Sequence, residues 1–176
     1  MHTKEAVAVR TRRMILCALF AALTAICAQI VIPMAPVPMN LALLPILICG
    51  ALLPMRYALA AVMAYIGMGA AGMPVFAGMA GGPGTLLGPT GGYILGYGLC
   101  VTVSAFLIGK GTKRPVAMAA GVATCYGLGA AWLMTSAGMS LPQALLSGVV
   151  PFIAGDILKV FLASYLAKRL YLVVRP

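Results

Sequence analysis

Acid is nearly absent from this chain of 176 residues: Glu5 and Asp156 are its only carboxylate side chains, and charged residues make up 8% of the total. A soluble domain carries about a quarter charged residues, so a water-facing globular protein is excluded. Histidine occurs once, as His2, near the N-terminus. No His, Glu or second Asp therefore lies within the apolar runs to hold a metal or to complete an acid–base pair with Asp156. Neither a metal, a cofactor nor a catalytic role is expected. The five cysteines (Cys17, Cys27, Cys49, Cys100, Cys125) all fall in apolar runs, in odd number and without CxxC spacing. They read as small core residues, not as disulfides or metal ligands. A nucleotide loop is missing too. Gly109-Lys110 occurs, but Ser104 stands where a phosphate loop needs glycine. Gly67-Met68-Gly69-Ala70-Ala71-Gly72 matches a dinucleotide fingerprint by letter, yet no strand precedes it and Pro74 follows.

What is present is apolar: 63% hydrophobic residues and a mean hydropathy of +1.09. That composition indicates an integral membrane protein, a single transmembrane domain over 1–176 with a basic cytoplasmic tail at 1–13. The net charge of +10 would suggest nucleic acid in a soluble protein. Here the basic residues stand at the ends of apolar runs, as membrane topology requires, so the partner is the lipid bilayer and not nucleic acid.

Six transmembrane helices are expected. The first runs from Met14 to Ile32 and stops at the prolines of 33–38. The second, Leu41 to Leu53, is short and holds Pro45, which kinks, tilts or breaks it. The third, Tyr57 to Gly72, is rich in alanine and glycine. A Gly/Pro-dense loop follows over 73–89. The fourth helix, 90–109, opens with Thr90 as a plausible N-cap. Its spacings Gly88-x-x-x-Gly92 and Gly92-x-x-x-Gly96 suit close helix contact. The fifth, 116–136, carries the lone Trp132 near one end, an ordinary place for an interfacial tryptophan. The sixth starts between Pro142 and Pro151 and continues to about Val174. The tail, the Arg56 turn, the Lys110–Arg114 turn and the Lys168–Arg175 end together hold eleven basic residues; loops 33–40, 73–89 and 137–144 hold none. By the positive-inside rule both termini are cytoplasmic.

Asp156 lies inside the last apolar segment, with Lys159 three residues on. On a helix the two share one face. Charges at membrane depth are costly, by roughly 2.5–3.5 kcal/mol each on insertion scales, and usually mark a ligand site or an ion path. The alternative is a mutually neutralised pair that locks the helix against its neighbours. The Gly-rich loop and the proline loop complete a candidate pocket. Their backbone groups are open to close approach, and irregular backbone at this depth must line a cavity or be buried in protein; otherwise the Gly-rich loop is a flexible connection. Phe76 and Tyr93 supply apolar faces. An acid at one end, N–H groups elsewhere and an apolar middle describe the small ligand such a pocket suits.

Gly72-Met73-Pro74-Val75-Phe76-Ala77-Gly78, Gly81-Gly82 and Leu87-Gly88-Pro89-Thr90-Gly91-Gly92-Tyr93 resemble the signature loop of BioY. BioY is the biotin-binding S component of energy-coupling factor (ECF) transporters. Pro151-Phe152-Ile153-x-Gly155-Asp156-x-x-Lys159 resembles that family's second motif, and Pro36-Val37-Pro38 a third. Asn40 and Ala42 stand where threonine and glutamine are usual after the Pro-x-Pro, and Met79 and Pro83 interrupt the glycine loop.

The resemblance implies an S-component fold in a prokaryotic cell membrane and a biotin site. That site draws on Asp156, Lys159, Phe76, Gly81, Gly82, Thr90, Gly91, Gly92, Tyr93 and Asn40, with the aspartate and lysine contacting the ureido ring and the carboxylate. It also implies partners, a transmembrane scaffold subunit and two ATPase subunits, and a cycle of capture, toppling in the membrane and release. On helix 1, Ala18 and Ala22, and likewise Ala21 and Ala25, stack four residues apart. Small residues at that spacing let another helix approach. The resemblance makes this the scaffold-docking face, and internal packing is the alternative. A proton-coupled secondary transporter of a small carboxylate, working through Asp156, is the other function class these residues allow.

Overall fold

The computed structural model describes the backbone of residues 2–174 and the side chains of 7–171. Lys4 and Arg175, two of the basic residues counted above, have side chains outside that range. Among the described residues there are eight α-helices: α1 (His2–Ala28), α2 (Leu43–Leu52), α3 (Met55–Ala70), α4 (Pro83–Leu87), α5 (Gly91–Gly109), α6 (Arg114–Ser136), α7 (Leu141–Gly148) and α8 (Val150–Val174). A 3-10 turn at Ala77–Met79 and a two-residue antiparallel ladder, β1 (Val31–Ile32) with β2 (Met39–Asn40), complete the chain.

Among the described residues four helices, not the expected six, are long and apolar enough to cross a membrane: α1 over Val7–Ala28, α5, α6, and α8 over Val150–Tyr171. The remaining two apolar helices, α2 and α3, have ten and sixteen residues. At 1.5 Å per residue they are about 15 and 24 Å long, short of a hydrocarbon core of roughly 30 Å. With four spans, one connection between α1 and α5 holds both the basic Arg56 turn and the uncharged loops 33–40 and 73–89, so the alternation of basic and uncharged loops that assigned both termini to the cytoplasm no longer holds. Pro45 is the reason for part of this. It sits in the first turn of α2, where its missing N–H breaks no bond, so the helix starts at Leu43 and is short.

Other boundaries also move for local reasons. α1 takes in most of the polar tail and ends at Ala28, before the ladder. The expected sixth helix is α8, which starts at Val150 within the expected range and reaches Val174, and a separate short helix, α7, precedes it. α7 begins at a capping box formed by Ser140 and Gln143. It ends at Gly148, and α8 starts at Val150, with Pro151 in its first turn. Thr90 does not cap α5 through its side chain; its hydroxyl donates instead to the Thr85 carbonyl at 3.3 Å.

The most intimate seam joins α5 and α6, and glycine makes it possible. A Cβ on Gly92 would overlap Trp132, one on Gly96 would crowd Cys125, and one on Gly121 would overlap Ser104. Trp132 is thus more than an interfacial anchor: its ring N–H donates to the Gly88 carbonyl at 2.9 Å. α2 packs on α8 and on α5, while α1 packs on α3. On α8 the side chains of Asp156, Lys159, Val160, Ala163 and Ala167 point inward. Ile157, Leu158, Phe161 and Tyr165 are exposed on the other face, as lipid contact requires.

Candidate functional site

Asp156 and Lys159 are 6% and 8% exposed, so water contributes little to their solvation. One helical turn brings them together: Lys159 Nζ is 2.8 Å from Asp156 Oδ1. Each has a second partner from a distant part of the chain. Tyr126 on α6 donates its hydroxyl to Asp156 Oδ2 at 2.7 Å. Lys159 donates to the backbone carbonyl of Asn40 at 2.7 Å. Asn40 is itself tied down, since the Ala42 amide donates to its Oδ1 at 3.0 Å and the Tyr97 hydroxyl lies 3.5 Å from the same oxygen. Both carboxylate oxygens still have an unused acceptor position, and the ammonium has a third N–H.

Two small cavities meet here, and a groove of about 360 Å³ between α6 and α8 also borders Asp156 and Tyr126. One, of about 40 Å³, is bounded by Asp156, Lys159, Tyr126, Tyr97, Phe152 and Tyr93. The other, of about 150 Å³, is bounded by Tyr65, Phe76, Thr85, Thr90, Tyr93 and Tyr97. Val37, Pro38, Asn40, Tyr93 and Tyr97 border both, so the two lie end to end beneath the proline loop. The walls are rigid aromatics. Phe76 is 1% exposed and packs edge-on to Tyr65, with centroids 5.6 Å apart. Tyr93 lies against Phe152 at 6.3 Å and donates its hydroxyl to the Gly148 carbonyl at 2.7 Å, which fixes its ring.

The expected residues therefore divide. Asp156, Lys159, Asn40 and Tyr93 border the charged cavity, while Phe76 and Thr90 border its neighbour. Gly81, Gly82, Gly91 and Gly92 border neither. A Cβ on Gly81 would overlap the Met73 carbonyl, and Gly82 adopts φ +85°, with its amide donating to the Gly69 carbonyl at 2.7 Å. These two shape the loop. Gly91 and Gly92 admit the Leu86 carbonyl and Trp132 against the start of α5. On α1, Ala18 and Ala22 are exposed. Ala21 is buried and Ala25 packs against the core, so the two pairs form adjoining strips of α1, one turned outward and one turned to the core.

Sequence reasoning missed several residues. Tyr126, Tyr97, Tyr65 and Phe152 belong to the cavity walls, and nothing in their local spacing distinguishes them from ordinary core aromatics. Gln29 was also missed. Its side-chain nitrogen lies 3.2 Å from the carbonyls of both Val75 and Phe76, and 3.1 Å from that of Ala25. Its Oε1 accepts the Met79 amide at 2.9 Å. Met79 has φ +59°, a left-handed conformation uncommon outside glycine, so Gln29 ties α1 to the strained turn of the Gly-rich loop. The signal available was an amide side chain at the end of an otherwise apolar run.

Lipid-facing helices around a buried charged pair and an aromatic cavity define a multi-pass membrane protein of the solute-binding kind. The chain belongs to the BioY family, which matches residues 1–175. It is 35% identical over 161 residues to the probable biotin transporter BioY of Pyrococcus horikoshii, covering 92% of this chain and 97% of that protein. It is likewise 35% identical over 166 residues to the biotin transporter BioY of Thermotoga maritima, covering 90% and 95%. Its fold matches the 2.1 Å crystal structure of the S-component for biotin from an ECF-type ABC transporter, with a TM-score of 0.83 at 28% identity over 97% of this chain and 94% of that one. The setting is accordingly a prokaryotic inner membrane, crossed more than once.

Proposed function

We propose that this chain is the biotin-capturing S component of an ECF-type ABC importer. The observation that carries the reading is the buried Asp156–Lys159 pair at the floor of an aromatic cavity, with donor and acceptor positions still unused. Biotin offers two N–H donors and a carbonyl on its ureido ring, an apolar fused ring, and a carboxylate at the end of an aliphatic chain. Asp156 accepts from ureido N–H groups, and Lys159 donates to the ureido carbonyl. Both residues serve the same end of the ligand, because two groups 2.8 Å apart cannot reach opposite ends of an extended molecule. The thioether ring then lies among Tyr93, Tyr97 and Phe152. The aliphatic chain runs toward Phe76, Thr85 and Thr90, where hydroxyls and loop amides meet the carboxylate.

The two cavities are smaller than the roughly 300 Å³ at which ordinary ligand sites begin. The proline loop and the Gly-rich loop must move apart as the ligand enters. The chain carries no phosphate loop, so energy for transport comes from partners: a membrane scaffold subunit and two ATPase subunits. Ala18 and Ala22, exposed on α1, form the docking stripe for the scaffold.

The test is equilibrium binding of purified protein to biotin, desthiobiotin, thiamine and riboflavin. Biotin binds tightest and desthiobiotin measurably, since it keeps the ureido ring and the carboxylate. Binding of thiamine or riboflavin as tight as biotin, or no binding of any of the four, would overturn the assignment.

A further inference from the structure

Another cavity lies away from the charged pair and shares no lining residue with the two described above. It has a volume of about 740 Å³. Its cause is the shortness of α2. That helix stops at Leu52, and the Leu53–Pro54–Met55 turn leaves a space bordered by α1 and by the last turns of α5 and α8. The floor is apolar, with Leu16, Leu53, Ala105 and Ile108. The rim is basic, with Arg12, Arg13 and Lys110, and among the described residues no carboxylate lines it.

The depth of this space is set by the spans around it. Gly109 ends the α5 span and Tyr171 ends the α8 span, and both border the groove. The opening is therefore at the level where a bilayer places its headgroups, and the floor at the level of acyl chains. Arg13 stacks over the Tyr57 ring, 5.5 Å from its centroid, which uses the face of the guanidinium and leaves its N–H edge for an oxyanion. Lys110 holds its ammonium 4.6 Å over Phe106, itself a lining residue, so the charge sits above the apolar floor.

We infer that this groove is a binding site for an anionic phospholipid, its phosphate at the Arg13–Lys110 rim and an acyl chain on the floor. Free phosphate would leave the apolar floor uncovered. A zwitterionic lipid would bring a cation to a rim whose described charged residues, Arg12, Arg13 and Lys110, are all basic. Basic pockets between membrane helices take anionic headgroups by the same physics.

The test uses full-length protein in detergent, titrated with phosphatidylglycerol or phosphatidylcholine and read by native mass spectrometry as bound lipid. Phosphatidylglycerol is retained preferentially by the unaltered chain. Arg13→Gln and Lys110→Gln each reduce that preference about fivefold, near the contribution of one basic residue at an anionic surface. Lys168→Gln with Arg169→Gln, two basic residues outside the groove, leaves it intact. Biotin binding persists in all variants and reports that they are folded. Equal retention of the two lipids overturns the inference, as does an unchanged preference in the Arg13→Gln/Lys110→Gln double variant. Full competition by inorganic phosphate also overturns it, since that would make the rim a free-anion site.

Discussion

Replacing Lys159 by methionine separates the two roles open to the buried pair. The substitution keeps the volume of the stem but removes the ammonium, so Asp156 is left with Tyr126 alone, 6% exposed and without a countercharge. Breaking a buried pair from one side costs about 3–5 kcal/mol in stability. Asp156→Asn strands the ammonium in the same way and falls in the same range. The double variant Asp156→Asn/Lys159→Met carries no buried charge. What remains lost is the donor to the Asn40 carbonyl, a deficit of about 1–3 kcal/mol, so most of the stability returns. Binding behaves otherwise. Both singles lose biotin affinity by about 2–5 kcal/mol, roughly 30- to several-thousand-fold. The double variant stays weak although it is folded. Thermal unfolding in detergent, paired with calorimetric titration of biotin on the same samples, reads both quantities. A folded double variant that binds biotin as tightly as the parent would refute the ligand role and leave the pair as a helix lock.

Tyr126→Phe removes one hydrogen bond to a charged acceptor and should lower biotin affinity by about 1.5–3 kcal/mol. A calorimetric titration with unchanged affinity would show that Tyr126 only fills space. Gln29→Leu frees the Met79 amide and the carbonyls of Val75 and Phe76; amide hydrogen exchange over 73–82 should speed up while that of α5 stays slow, and equal protection in both proteins would deny Gln29 its latching role. Ala18→Trp or Ala22→Trp should block ATP-driven uptake with the scaffold and spare biotin binding by the isolated chain. Ala21→Trp, at a buried position, should instead prevent folding. Uptake that survives Ala18→Trp and Ala22→Trp would show that their face touches lipid alone.

Much of this protein was legible in the chain itself because the relevant physics is local. Apolar runs bounded by basic turns mark a membrane protein whatever its packing. A three-residue spacing on one helix brings Asp156 and Lys159 together before any neighbour is known, and the structure finds them 2.8 Å apart. The motifs around Gly72–Tyr93 and Pro151–Lys159 pointed to the family. Helix count was less legible, because hydropathy reports that α2 and α3 are apolar but not where their ends fall. The prolines at 45 and 54, with the adjoining turn, cut α2 to ten residues.

The remainder depended on how helices cross, which no window of sequence contains. Tyr126 is thirty residues from the carboxylate it binds, and Asn40 is 119 residues from Lys159. The glycines of α5 could have served a ligand or a neighbour. Only the approach of Trp132 and Cys125 places Gly92 and Gly96 in a helix seam. Ala18 and Ala21 are chemically the same, and one is exposed while the other is buried because α3 packs on a single side of α1. A side chain's local face follows from helical period, whereas its partner follows from tertiary packing.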